Sequence, residues 1–123
     1  MLLQNDIITR IVYSTDASAY QEMPEAVAFP KTEDDIRELI NYARIHKTSL
    51  TPRGAGTSIA GQVVSSGIIV DMKYFNHIIE VNVNEKWVRV EPAVVRDELN
   101  YELKKYGLFF SPETSTSNRC TIG

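Results

Sequence analysis

The run Gly67-Ile68-Ile69-Val70-Asp71 does most to limit what this chain can fold into. A strand with one wet face alternates apolar and polar residues, and this run has no polar side chain before Asp71. Such a strand is expected inside a sheet, with both of its faces covered. The preceding segments supply the rest of that sheet. Ala26-Val27-Ala28-Phe29 is a short apolar run stopped by Pro30, and Leu50-Thr51 is a second short strand. Between them Thr32 is placed to cap a helix. Glu33, Asp34 and Asp35 follow in its first turn, with Arg44, His46 and Lys47 near its other end, as the helix dipole favours. Ile36, Leu39, Ile40 and Ala43 fall at i, i+3, i+4 and i+7, one expected buried stripe.

Further along, His77 to Val83 and Trp87 to Glu91 alternate loosely and are joined through Asn84-Glu85, as a hairpin would be. After Pro92 a second helix is expected over about Val94 to Tyr106. Val95, Leu99 and Leu103 form its stripe, Asp97 and Glu98 come early, Lys104 and Lys105 come late, and Gly107 stands as its C-terminal cap. Ahead of all this, residues 1–25 form a mixed lead-in segment. There Ile7, Ile8, Ile11 and Val12 suit a short helix face, and residues 14–18 read as a polar loop. The order of elements gives an α+β domain with helices packed on a mixed sheet.

Composition excludes several classes. A net charge of −3 gives no basic surface for nucleic acid. The single cysteine, Cys120, rules out an internal disulfide and a cysteine-rich metal site, and it fits a reducing, cytoplasmic setting. The first residues lack a basic region followed by a long apolar run, so no signal peptide is expected. No apolar run is long enough to span a bilayer, so no transmembrane segment is expected. The chain stops at Thr121-Ile122-Gly123 without a polar tail, and two readings stay open, a cut through a motif or a natural end.

The segment from Arg53 to Gln62 brings three glycines, one arginine and two hydroxyls together after Pro52. Successive backbone N–H groups in such a turn make a concavity that favours anions. Thr57, Ser58 and Gln62 can add side-chain donors. Two familiar phosphate motifs fail here. From Gly54 the sixth position of a dinucleotide fingerprint is Ile59, and after Gly56 and Gly61 a P-loop lysine is missing because Gln62 follows. From the residues alone two readings stay open: a phosphate cradle, or a glycine-rich turn between strands.

A second anomaly is the polar stretch from Ser111 to Asn118, ahead of Arg119-Cys120-Thr121-Ile122-Gly123. It is either a solvated loop or a second loop that shares a ligand with the first. His46 and His77 have no metal-ligand spacing, and no Asp, Glu and His cluster has one. Asp16 near Ser14 and Ser18 lacks the histidine a nucleophile system needs. Cys120 is expected to be a small buried residue, and Trp87 and Phe109 to belong to the core. No catalytic residue and no metal ligand is assigned.

Several of these motifs, in this order, resemble a known family. They are Pro30-Lys31-Thr32 before a helix, Pro52 to Ser58, Gly67 to Met72, Val90-Glu91-Pro92-Ala93-Val94, and Ser117 to Gly123. The chain is similar to the FAD-binding domain of FAD-linked oxidases of the p-cresol methylhydroxylase and vanillyl-alcohol oxidase type. The nearest branch is that of glycolate oxidase FAD subunits and D-lactate or D-2-hydroxyglutarate dehydrogenases. Tyr13 to Tyr20 resembles the opening of large members that also carry an iron–sulfur domain. The resemblance implies a first βαβ-rich subdomain and the start of a second near Val94, with residues 26–123 the N-terminal part of a truncated FAD-binding domain. It implies that Arg53, Gly54, Ala55, Gly56, Thr57 and Ser58 wrap the FAD pyrophosphate and that Gly61 and Gln62 continue the loop. It places Pro112, Glu113, Ser115 and Asn118 beside the flavin or its ribityl chain, and Thr121, Ile122 and Gly123 in the same wall. Thr57 stands where covalently flavinylated relatives often carry histidine, so a non-covalent flavin is implied. Ala93 replaces a common glycine, and Glu113-Thr114 a common Asp-Pro. The parent would oxidise a small 2-hydroxy acid and pass electrons to an iron–sulfur centre or another carrier. It would be cytoplasmic or peripheral at a membrane, and this piece alone would be inactive. The alternative function is a non-catalytic nucleotide- or phosphate-binding module.

Overall fold

Parallel pairing gives the apolar run the place its composition demands. In the computed structural model, which describes residues 3–123, the chain divides after Tyr74 into two units. The division falls ahead of the position near Val94 that the resemblance implies.

The first unit contains β1 (Leu3–Gln4), α1 (Ile7–Val12), β2 (Ala26–Ala28), α2 (Glu33–His46), β3 (Leu50–Arg53) and β4 (Ile68–Asp71). Its sheet runs in the order β1-β2-β4-β3, with β2 and β3 parallel to β4 and β1 antiparallel to β2. The all-apolar β4 is therefore an inner strand, and all four of its residues are buried. β3 lies at the edge, which is why Pro52 is tolerated within it: no inner partner needs its missing N–H. Ala26, Ala28, Leu39, Ile68 and Val70 form the core, with Leu3, Tyr42, Leu50 and Met72 packed against it.

α2 starts with the expected Thr32 cap. The Thr32 hydroxyl accepts from the Asp35 N–H at 3.1 Å, and the Asp35 carboxylate accepts from the Thr32 N–H at 2.9 Å, a reciprocal capping box. Its buried stripe is narrower than the spacing suggests. Leu39 and Ala43 are buried, but Ile40 is 54% exposed. The strands beneath are only two to four residues long, so they present too little surface to cover a full helical face. α1 forms where expected, capped by Asp6, which accepts from the Thr9 N–H at 2.9 Å. Its apolar residues Ile7, Ile8, Ile11 and Val12 all remain exposed. The two-residue β1 was not foreseen, because so short a strand has no periodicity to read.

The second unit contains β5 (Ile78–Asn82) and β6 (Trp87–Val90), an antiparallel hairpin, then α3 (Arg96–Leu103), which tightens into a 3-10 turn over Lys104–Tyr106. Gly107 ends it in the left-handed conformation, φ +68°. Val94, Leu99 and Leu103 form the core, with Ile78, Val81, Val88, Val90, Leu108, Phe110 and Ile122 packed against them. Trp87 and Phe109 do not join it, contrary to the sequence expectation. Phe109 is 73% exposed because Leu108 and Phe110 turn inward, and alternation along an extended segment sends the residue between them outward. Trp87 lies at the hairpin turn, where its indole N–H donates to Glu85 Oε2 at 2.8 Å.

Candidate cofactor-binding loops

The glycine-rich segment leaves the C-terminal end of β3, the end of parallel strands at which open α/β sheets bind ligands. Its start is fixed by the sheet, because the Met72 N–H donates to Arg53 O at 3.0 Å. Gly56 (φ +71°) and Gly61 (φ +75°) take the left-handed backbone that other residues adopt at a cost. Around Gly56 the chain leaves a run of donors unspent. Among the described residues, the N–H groups of Ala55, Gly56, Thr57, Ser58 and Ile59 donate to no protein acceptor. Ala60 N–H is taken by Gln62 Oε1 at 3.1 Å, so half of the Gln62 amide serves the loop itself.

Arg53 turns under the loop. Its guanidinium lies 5.1 Å from the centre of the Tyr13 ring, and its Nη1 donates to Tyr13 O at 3.4 Å. A Cβ added at Gly56 would fall 2.5 Å from Arg53 Nη2, so Gly56 is needed for this approach as well as for its φ. The Tyr13 hydroxyl donates to Asp71 Oδ2 at 2.5 Å. Burial, then the Asp71 carboxylate, push that hydroxyl far above its ordinary pKa of 10.0, against the opposing charge of Arg53. Asp71 is itself buried, and its Oδ1 accepts from the Lys73 N–H at 2.9 Å. Asp16 accepts from the Ser18 N–H at 2.8 Å, while its Oδ2 is buried without a partner. Burial raises the Asp16 carboxyl, but hydrogen bonds from Ser18 and the charge of Arg53 outweigh it and hold the group below its ordinary value. Sequence reasoning gave Tyr13, Asp16 and Asp71 no part at this loop. Tyr13 and Asp71 lie 58 residues apart, and only the fold brings them together.

The second polar loop, in the second unit, folds back on the start of α3. The N–H groups of Arg96 and Asp97 donate to Cys120 O (3.0 Å) and Ser117 O (3.1 Å), and Arg96 Nε donates to Pro112 O at 2.7 Å. These bonds replace a side-chain cap, which Val95 cannot supply. Glu113, Ser115 and Asn118 are exposed, and among the described residues their side chains have no hydrogen-bond partner. Thr121 bridges to Val95, Ile122 N–H donates to Val94 O at 3.0 Å, and Gly123 N–H donates to Pro92 O at 2.8 Å. Gly123 lies so close that a Cβ there would meet Pro92 Cβ at 2.5 Å.

The remaining sequence candidates are ordinary. His46 stacks on Tyr42 at 4.1 Å, and exposed His77 pairs through Nδ1 with Glu91 Oε2 at 2.6 Å. Cys120 is half-buried, with its sulfur 2.9 Å from Thr114 Oγ1. Among the described residues no group of His, Cys, Asp or Glu could hold a metal ion, and no helix is long and apolar enough to cross a membrane.

The sequence model of the FAD binding domain family matches residues 24–123, and the chain belongs to that family. Its cofactor is FAD. The chain is similar to D-2-hydroxyglutarate dehydrogenase of Pseudomonas putida, 48% identical over 122 residues, covering 96% of this chain and 12% of that protein. It is also similar to glycolate oxidase subunit GlcD of Bacillus subtilis, 32% identical, covering 93% of this chain and 25% of that one. Among solved structures, alkyldihydroxyacetonephosphate synthase superposes with a TM-score of 0.82 at 19% identity, covering 99% of this chain and 26% of the other, which shows a shared fold. The chain thus spans about an eighth of the length of the dehydrogenases it matches at 48–50% identity.

Proposed function

We propose that this chain is the N-terminal FAD-binding part of a flavin-dependent dehydrogenase that oxidises a small 2-hydroxy acid. One observation carries the reading: the five consecutive unspent N–H groups from Ala55 to Ile59, in a loop that turns at the left-handed Gly56 and Gly61. A pyrophosphate offers anionic acceptors matched to such a run, and its charge is favoured by backbone dipoles with no lysine present. Gly54, Ala55, Gly56, Thr57 and Ser58, continued by Gly61 and Gln62, would hold that group, with Arg53 supporting from below. Pro112, Glu113, Ser115, Asn118, Thr121, Ile122 and Gly123 are assigned to the flavin and its ribityl chain on the family resemblance alone. Thr57 stands where, on the family resemblance, covalently flavinylated relatives often carry histidine, which supports a non-covalently held flavin.

Bound FAD supplies the acceptor for the hydride that leaves the hydroxyl-bearing carbon. This chain's residues bind and orient. The groups that hold the acid and take its hydroxyl proton are assigned to the rest of the parent, and so is any iron–sulfur centre or other electron acceptor. The similarity to D-2-hydroxyglutarate dehydrogenases supports that substrate class.

Titration of FAD, FMN and ADP into the purified chain, read by flavin fluorescence and thermal shift, tests the cofactor part. FAD at a hundred times its Kd should add about 2.7 kcal/mol of stability. FMN should add far less, because it lacks the pyrophosphate and adenosine. Equal stabilisation by ADP and FAD would favour the nucleotide-module alternative. No shift with FAD in this chain or in the longer parent would overturn the proposal.

A further inference from the structure

Residues 13–20 precede the stretch matched by the family and have no role in the function proposed above. The structure brings them to the glycine-rich loop at three places. The Ala17 N–H donates to Gly56 O at 3.0 Å. The Tyr13 ring and carbonyl both engage Arg53. The Tyr20 ring lies so close to Gly61 that a Cβ there would fall 2.8 Å from Tyr20 Cδ2. Two of these contacts fall on the loop's two left-handed glycines, the points where its backbone could most easily swing away.

The segment is itself tied down. The Ser14 hydroxyl donates to Ile11 O at 2.7 Å, and the Glu22 N–H donates to Ser14 O at 2.9 Å. Thr15 bridges to Gln21, and the Tyr13 hydroxyl reaches Asp71 on β4. Covering apolar surface accounts for part of the Tyr13 position, since its ring packs edge-on against Phe29, but not for Tyr20, which remains 64% exposed while it touches Gly61.

We propose that residues 13–20 form a strap that holds the glycine-rich loop in its pyrophosphate-receiving shape, with Tyr13 a positioning residue that acts through Arg53. The identity of the ligand rests on the FAD reading, whereas the holding of the loop does not. The physical reason is entropic. Glycines lose more backbone freedom on ordering than other residues, and a loop ordered beforehand spares the ligand that loss. When only a fraction of molecules holds the receptive shape, apparent affinity falls by that fraction.

The test is backbone 15N relaxation of the 123-residue chain with FAD titrated in parallel, on the wild type, Tyr13→Leu, Tyr13→Phe and Ala17→Pro. In the wild type the amides of residues 54–61 should have order parameters near about 0.85, like those of Val27 and Ile69. Tyr13→Leu and Ala17→Pro should drop the loop values below about 0.6 with the sheet unchanged, and weaken FAD on the order of tenfold. Both Tyr13 variants keep the main-chain carbonyl, but Tyr13→Phe also keeps the ring under Arg53 and should fall between. Ala17→Pro removes one N–H at an exposed site, so it decides the matter if Tyr13→Leu does not fold. A loop already mobile in the wild type, or equally ordered in both variants, overturns the strap. Wild-type failure to bind FAD with the relaxation contrast intact sinks the cofactor reading and leaves the strap standing.

Discussion

Gly56 and Gly107 share a left-handed backbone, at φ +71° and +68°, but differ in what surrounds them. Nothing lies within 4 Å of a Cβ built on Gly107, so Gly107→Ala meets only the backbone cost, about 1 kcal/mol. Gly56→Ala meets the same cost and also drives its methyl into the Arg53 guanidinium. It should lose at least about 2 kcal/mol in urea unfolding and weaken FAD, whereas Gly107→Ala should leave FAD affinity unchanged. Tyr13 supports a prediction of another kind. Its folded pKa is raised, so its contribution to stability is fully present below pH 10.0 and is lost as pH climbs above that. The wild-type melting temperature should fall more steeply than that of Tyr13→Phe between about pH 10 and 12, and parallel curves would refute the assigned Asp71 bond. The glycines and Arg53 could be picked out in the sequence because their chemistry is local. What Arg53 does could not, because its partner Tyr13 lies 40 residues away and acts through a ring face and a carbonyl.

The two longer helices show the same divide between local and distant causes. α2 begins where Thr32 and the acidic first turn say it should, because its capping box is complete within four residues. Thr32→Ala should cost about 1 kcal/mol in chemical denaturation. Adding Asp35→Ala should cost less than the sum of the separate changes, because both remove one reciprocal pair. Full additivity would mean that the two bonds act independently. α3 begins at Arg96, two residues later than the apolar spacing suggests, since the carbonyls that cap it come from Ser117 and Cys120. The order of strands and helices was legible because periodicity and proline placement are properties of short windows. The exposure of Ile40 and Phe109 was not, because it depends on how much surface the neighbouring elements offer.

Among the described residues, the groups whose ionisation is displaced divide by chemistry in a way that bears on activity. The carboxyls of Asp6, Asp16, Asp35 and Glu91 are held below their ordinary values, while the Tyr13 hydroxyl and the Lys105 ammonium are held above theirs. Every one of these shifts moves a group further from neutrality. A general acid or base needs the opposite, a pKa drawn toward the working pH. Each of these environments holds its group in one protonation state: the Tyr13 hydroxyl stays neutral, and the His77 N–H holds Glu91 ionised within the second unit. The match to the D-2-hydroxyglutarate dehydrogenase of Pseudomonas putida covers 96% of this chain but only 12% of that protein, which leaves ample chain in such a parent for a substrate-binding and proton-accepting site. The chain should accordingly bind FAD without turning over an acid. Loaded with FAD under anaerobic conditions and mixed with glycolate, D-lactate or D-2-hydroxyglutarate, it should keep its oxidised flavin absorbance, while the longer parent should bleach with at least one of them. Bleaching by the short chain at the parent's rate would place the proton acceptor among these residues and overturn the division of labour argued for them.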